Sequence, residues 1–338
     1  MGTSFGRLPL LMQIYSYKRP TTPRISCEHF SVALSPYPGA RDAGWDDVDP
    51  AGADYMMVPF TFKAFGPALD GRLYLGGDIS LPFTSASDLP GQYQGRRRLR
   101  EDIVRAFLSA FPHFERYPEK HILIDNGDAD RPCPFLRDAI LFKTNPSYRY
   151  PDVLPMPLPV ADPGPPRPIT EADIDVSFQG YLDQHPIRHA LAWWTRQTTN
   201  LRVEFRATNK PLYAVANQER ADMVRENFEL MLRSRFVLSP RGRGTTSRRF
   251  FEILAHGRIP ILVSDSAKLP LESVIDYDKF VIRMPEGFVA LTEEFVREFE
   301  AEHDIVEASE LARSTYVEYF APYSFRRFIE ASLATRAR

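Results

Sequence analysis

The chain is poor in cysteine: Cys27 and Cys133 are the only two in 338 residues. That is too few for a disulfide framework, and they read as free thiols. No apolar run approaches the ~20 residues of a membrane span. The short apolar patch Leu8–Met12 lacks the architecture of a secretory signal. Net charge is nearly absent, at −2, so there is no broad electrostatic footprint for nucleic acid. A nucleotide needs only a local basic patch and is not excluded. The glycine-rich stretch lacks Lys-Ser/Thr after its second glycine, since Thr245-Thr246 follow Gly244. That excludes a phosphate loop of the NTPase type. A dinucleotide turn also fails: Ser247 stands where the third glycine belongs, although Asp265 lies at a suitable distance for the acid. His185 and His189 flank Pro186 with no HExxH pattern, so they read as capping or solvated.

What is present is globular. Hydrophobic content of 43% and charged content of 25% are ordinary values, and the length suits two α/β domains. The most informative segment runs from Arg233 to Asp265. Phe236–Ser239 is rich in β-formers and predicts a buried strand. Pro240–Thr246 is a turn holding Gly242, Gly244, Arg241 and Arg243. Ser247–His256 has helical spacing, with Phe250, Phe251 and Leu254 apolar and Ser247 or Thr246 at the N-cap. Gly257 stands at the C′ position, where φ is positive. Ile259–Val263 is a second strand, ended by Ser264-Asp265. Strand, turn, helix and strand imply a parallel sheet.

A chemistry follows from that order. A helix N-terminus offers unpaired N–H groups and partial positive charge. Glycines let backbone approach an anion, and arginines supply paired donors for phosphate. Glu252 lies one turn beyond Arg249 on the same face, where a carboxylate accepts from two neighbouring hydroxyls. The segment therefore suits a nucleoside diphosphate, with the diphosphate on Arg241, Arg249 and the N–H groups from Gly242 through Gly244, Thr245, Thr246 and Ser247. The ribose falls to Glu252. Asp265 follows a strand's carboxyl end and faces the cleft.

The pattern strand, Pro-Arg-Gly, Ser-x-Arg-x-x-Glu, Gly-x-Ile-Pro-x-x-x-Ser-Asp resembles the exostosin family of glycosyltransferases. The run Leu269–Glu272 to Asp276–Phe280 matches too. The resemblance implies a GT-B fold: α/β, two Rossmann-like domains with parallel sheets facing a central cleft. It implies an inverting transfer from a nucleotide sugar, UDP-linked, with no essential metal and no further cofactor. The partners implied are that donor and an oligosaccharide or glycolipid acceptor; the lack of a membrane anchor sets the expectation of surface polysaccharide or lipopolysaccharide synthesis. Eukaryotic members carry an N-terminal membrane helix. With none here, the expectation is a bacterial-type cytoplasmic enzyme, with peripheral membrane contact, or an excised catalytic domain.

The expected domains are 1–159 on the acceptor side, a proline-rich linker 160–172, and 173–338 for the nucleotide sugar, with a last helix able to cross back. Met12–Tyr17, Ala53–Phe60 and His121–Asp125 are strands of the first domain, and 18–52 reads as a long loop. Gly76-Gly-Asp78 reads as a turn, and Arg96–Arg98 with Arg100 as a solvated face leading into a helix, Glu101–Phe111. Ile174–Gly180, Leu201–Phe205 and Lys279–Arg283 are strands of the second domain, with helices at Ala221–Ser234, Thr292–Glu300, Ile305–Phe320 and Ser324–Thr335. Ile187-Arg188 resembles a family pair that opens a helix through Trp193-Trp194. By the same resemblance Asp128 takes the family's aspartate position, after a strand's carboxyl end, where a base deprotonates the acceptor. Two other readings are open. Asp128-x-Asp130 matches the D-x-D of metal-dependent GT-A transferases, as does Asp173-x-Asp175. A non-catalytic module binding sugar nucleotide or glycan is the other.

Overall fold

The computed structural model describes residues 12–16, 24–27, 30–36, 52–65, 113–125 and 138–336. Asp128, Asp130, Cys133, the turn at 76–78, the arginine run at 96–100 and the helix expected at 101–111 lie outside them. The chain divides into two compact units. The first comprises 1–127, 131–156 and 329–338, and the second 128–130 and 157–328.

The first unit is built on a seven-stranded sheet. Its strands are β1 (Ile14–Ser16), β2 (Arg24–Cys27), β3 (Phe30–Pro36), β4 (Tyr55–Phe65), β5 (His121–Asp125), β6 (Ile140–Lys143) and β7 (Leu154–Pro155). From β4 to β7 neighbours run parallel, and β1 lies parallel to the start of β4. Every residue of β5 is buried, as expected of a parallel strand covered on both faces. The loop expected over 18–52 instead contains β2 and β3, an antiparallel hairpin whose second strand pairs with residues 60–65 of β4. The strands are short and lie among prolines and glycines, so only their pairing reveals them.

The second unit carries a five-stranded, wholly parallel sheet in the order β12-β11-β10-β8-β9. In chain order it runs β8 (Ile174–Tyr181), α1 (Pro186–Trp194), β9 (Val203–Thr208), α2 (Asn217–Leu232), β10 (Ser234–Pro240), α3 (Arg248–Ala255), β11 (Ile259–Val263) and β12 (Ile282–Met284). Then follow α4 (Thr292–Glu302), α5 (Ile305–Thr315) and α6 (Phe325–Arg336), whose residues from 329 are grouped with the first unit. From β8 the chain goes out to β9 on one side and returns to β10 on the other. The order reverses between β8 and β10, which opens a crevice at their carboxyl ends.

The expected strand-turn-helix-strand segment is present as β10, α3 and β11. Phe250, Phe251, Ile253, Leu254 and Ala255 are all buried, so α3 is a core helix with only one narrow polar edge. Phe236 of β10 meets Phe299 of α4 edge-on at 5.9 Å, and Phe251 meets Phe320 at 5.4 Å. Gly257 has φ +59°, as its place after α3 requires. The strand expected at Lys279–Arg283 begins later, at Ile282, because Tyr277–Lys279 forms a 3-10 turn. The buried Tyr277 hydroxyl fastens that turn to Pro270 O at 2.7 Å.

Candidate active site

The crevice is made by the residues that follow β8 and β10. Pro186 opens α1 at its first turn, where a missing N–H costs nothing. His185 is the N-cap and accepts from Ile187 N at 3.4 Å, which is the capping role expected for it. Burial lowers the His185 pKa; Glu286 opposes this, and Arg241 and Arg188 add to it. Arg188, on the first turn of α1, reaches back across the crevice. Its Nη1 donates to Tyr181 O at 2.9 Å and its Nε to Arg241 O at 3.2 Å. One side chain thus ties the carboxyl end of β8 to that of β10.

Arg249, on the first turn of α3, approaches the same place from the other side. Its Nη2 donates to Gln179 O and its guanidinium lies 4.5 Å from the Phe178 ring centre. Its Nη1 is shut off from solvent with no hydrogen-bond partner. Burial pulls the pKa of each arginine down to about 10; Arg249 adds to the effect on Arg188, while Glu252 works against it on Arg249. Both remain cations near neutral pH. The Phe178 ring lies beneath both, with Arg188 at 5.8 Å. The alignment of these cations was not legible in the sequence. Ile187-Arg188 marked a helix start, but only the β8–β10 pairing makes that start face Arg249.

Arg188, Arg249 and Glu252 line one cavity of about 310 Å³, with Gln179, Tyr181 and a face of α2. Glu252 pairs with Arg248 Nε at 3.2 Å. Arg249 and Glu252, one turn apart on α3, both reach this cavity. The glycine turn does not line it. Gly244, Thr245 and Thr246 are buried, and Arg243 is exposed. Ser264 Oγ holds the turn by donating to Thr245 O at 2.8 Å. Gly242 lies against Arg188: a Cβ there would stand 3.6 Å from Nη2. Ser247 occupies the N-cap of α3, but its side chain makes no capping bond. Its Oγ lies 3.4 Å from Ser239 Oγ.

Arg241 and Asp265 meet elsewhere, on Glu286. Arg241 Nη1 is 3.5 Å from the Glu286 carboxylate. Glu286 N donates to Asp265 Oδ1 at 2.8 Å and Asp265 N to Glu286 Oε1 at 3.4 Å. Asp265 is exposed and acts here as a clasp between the ends of β11 and β12.

The second D-x-D match is taken up by ion pairs at the opposite end of β8. Asp173 pairs with Arg233 at 2.7 Å and Arg202 at 3.2 Å, and Asp175 pairs with Arg235. Among the described residues no group of His, Cys, Asp and Glu is arranged to hold a metal ion. Nor is any helix among them long and apolar enough to cross a membrane.

Fold and site define an α/β chain with a cationic crevice at the carboxyl ends of a parallel sheet. Residues 142–299 match the Exostosin GT47 domain, so this segment is similar to the exostosin family of glycosyltransferases. It is 37% identical over 87 residues to exostosin-1 of Drosophila melanogaster, and 35% over 91 residues to the exostosin-1 homolog of Caenorhabditis elegans. These alignments take in 25% and 27% of this chain and 11% and 24% of those proteins. It is also 45% identical over 49 residues, 14% of this chain, to a probable arabinosyltransferase, ARAD1, of Arabidopsis thaliana, of which that covers 11%. The chain thus spans a quarter or less of each relative. Among solved structures TarM aligns with a TM-score of 0.34 at 9% identity, over 63% of this chain and 55% of that one. The GtfA/B complex aligns at 0.34 and 11%, over 92% and 71%. Asp128 falls outside the matched segment.

Proposed function

We propose that this chain is an inverting glycosyltransferase that takes a sugar from a UDP-linked donor to a glycan hydroxyl without a metal ion. The observation that carries the reading is Arg249. Its guanidinium sits at the reversal of strand order, facing Arg188, with one amino group unsatisfied. Two adjacent cations with no carboxylate bridging them are unfavourable until an anion enters. A diphosphate supplies that anion, and a small rotation of Arg249 satisfies Nη1. Glu252, one turn deeper on α3, takes the ribose hydroxyls in exchange for Arg248.

Transfer then needs two things. An acceptor oxygen attacks the anomeric carbon as its proton passes to a base, and the bond to the diphosphate breaks with its electron pair. Arg188 and Arg249 stabilise the charge that gathers on the departing oxygen, a task metals perform in other transferases. Asp128 is the residue we assign as base. A surface polysaccharide or glycolipid is the acceptor class we assign.

Calorimetry with UDP tests the donor half. Arg249→Ala and Glu252→Ala should each weaken binding tenfold or more, about 1.4 kcal/mol. Unchanged affinity in both variants would remove the assignment. Asp128→Asn should abolish transfer and spare UDP binding. Transfer that survives EDTA supports the metal-free reading, and its loss favours the metal-dependent one.

A further inference from the structure

Among the described residues, the hydrogen bonds of Arg188 and Arg249 end on backbone carbonyls. Arg188 donates to Tyr181 O, Arg241 O and Pro240 O, and Arg249 to Gln179 O. Neither guanidinium is paired with a carboxylate there, since Glu252 turns to Arg248. Carbonyls carry only partial charge, so much of the repulsion between the two cations is left standing. Something further must hold Arg249 beside Arg188.

That support is an aromatic ring. Phe178 is buried in β8, with the guanidinium of Arg249 4.5 Å and that of Arg188 5.8 Å from its centre. Phe205 of β9 stacks on it at 4.8 Å, the planes 28° apart, which resists tilting of the ring. Two residues on, along the same face of the strand, Gly180 leaves an empty step. A Cβ there would stand 3.0 Å from Phe178 Cζ and 3.4 Å from Arg249 Nη2. The first is well inside the roughly 3.5 Å of ordinary carbon contact. β8 thus offers a ring and then a gap, and the guanidinium uses both.

The kind of support matters. A carboxylate in place of the ring would neutralise the arginines and compete with a phosphate. An aliphatic side chain would give contact and no attraction. An aromatic face attracts a cation through its quadrupole and leaves the N–H edge and the net charge for an anion.

We propose that Phe178 is a positioning residue of this site: backed by Phe205 and given room by Gly180, its ring holds Arg249 beside Arg188 so that both meet one diphosphate. The inference rests on the nucleotide reading above. It adds that the negative face of the ring, beyond its bulk, sets the affinity for the diphosphate.

Titration calorimetry with UDP and pyrophosphate tests it on the whole chain, with 3,5-difluorophenylalanine incorporated at position 178. That residue keeps the ring and the hydrogen that faces Gly180, and weakens the negative face. The fluorinated protein should melt at the wild-type temperature. It should bind both ligands at least about threefold more weakly and by the same factor, because the ring acts on the cations and not on the nucleoside. Phe178→Leu should weaken both about tenfold or more; if that variant does not fold, the fluorinated protein decides. Pyrophosphate binding that is unchanged or tighter in the fluorinated protein, with Arg249→Ala still weakening it, overturns the role of Phe178 and leaves the diphosphate site intact. A wild type that binds neither UDP nor pyrophosphate overturns both.

Discussion

Arg249 is held by a carbonyl and an aromatic face; among the described residues no carboxylate pairs with it, since Glu252 pairs with Arg248. On the proposed reading, its burial serves a ligand more than the fold. Arg249→Met keeps the stem against Phe178 and removes the charge. We expect the ligand-free variant to melt at the wild-type temperature or above it, while UDP binding is lost. Differential scanning fluorimetry reads both effects. Saturating UDP should stabilise the wild type by about 2.7 kcal/mol at one hundred times Kd, and the variant by nothing measurable. A variant that unfolds several degrees earlier would show that the guanidinium belongs to the core. Arg249 and Glu252 were legible because one helix carries both and 3.6-residue periodicity places them. Arg188 and Gln179 were not. Their roles depend on β8 lying beside β10, a contact between segments about sixty residues apart that no local pattern encodes.

At the scale of elements, β10, α3 and β11 were readable because each is bounded by its own signal. The strands are apolar runs, Ser247 precedes the helix and Gly257 follows it. Gly257 has a second constraint beyond its φ. A Cβ there would come within 3.3 Å of Pro166 Cγ and 3.4 Å of Arg313 Cβ. Gly257→Ala should therefore cost about 1–2 kcal/mol from the left-handed backbone alone, with crowding added. Urea unfolding measures it; a loss under 0.5 kcal/mol would show that the backbone relaxes. The neighbouring Arg258 fastens this turn. Its guanidinium is buried and donates to Met231 O, Leu232 O and Arg167 O at 2.8–3.3 Å. It thereby satisfies the last carbonyls of α2, which helix geometry leaves open. By contrast β2 and β3 are recognised by their pairing with each other and β4, and composition suggested a loop.

Across the molecule, the proline-rich stretch from 157 onward is grouped with the second unit, and one carboxylate fastens it there. Asp162 accepts from Arg313 Nη2 at 2.7 Å, from Tyr323 Oη at 2.6 Å and from Gly164 N at 2.9 Å. Burial alone would raise its pKa, but the Tyr323, Gly164 and Arg313 contacts outweigh it and hold the carboxyl below the usual range. A folded-state pKa below the unfolded one stabilises the protein above the unfolded value, and the effect disappears as pH falls through the folded value. Asp162→Asn should thus cost about 2 kcal/mol at pH 7. The gap between variant and wild type should close in acid, once pH has fallen through the lowered folded-state pKa. Chemical denaturation at neutral pH and in acid checks this, and a gap that stays constant would remove the charge from the explanation. Composition showed that this segment is stiff; its attachment needs a partner 151 residues away and was invisible.

A pocket lined by two poorly hydrated cations does not release its occupant readily. On the proposed reading, the spent nucleoside diphosphate keeps its hold on Arg188 and Arg249 after the sugar has gone. Its escape should then slow each cycle, which inhibition by added UDP would reveal.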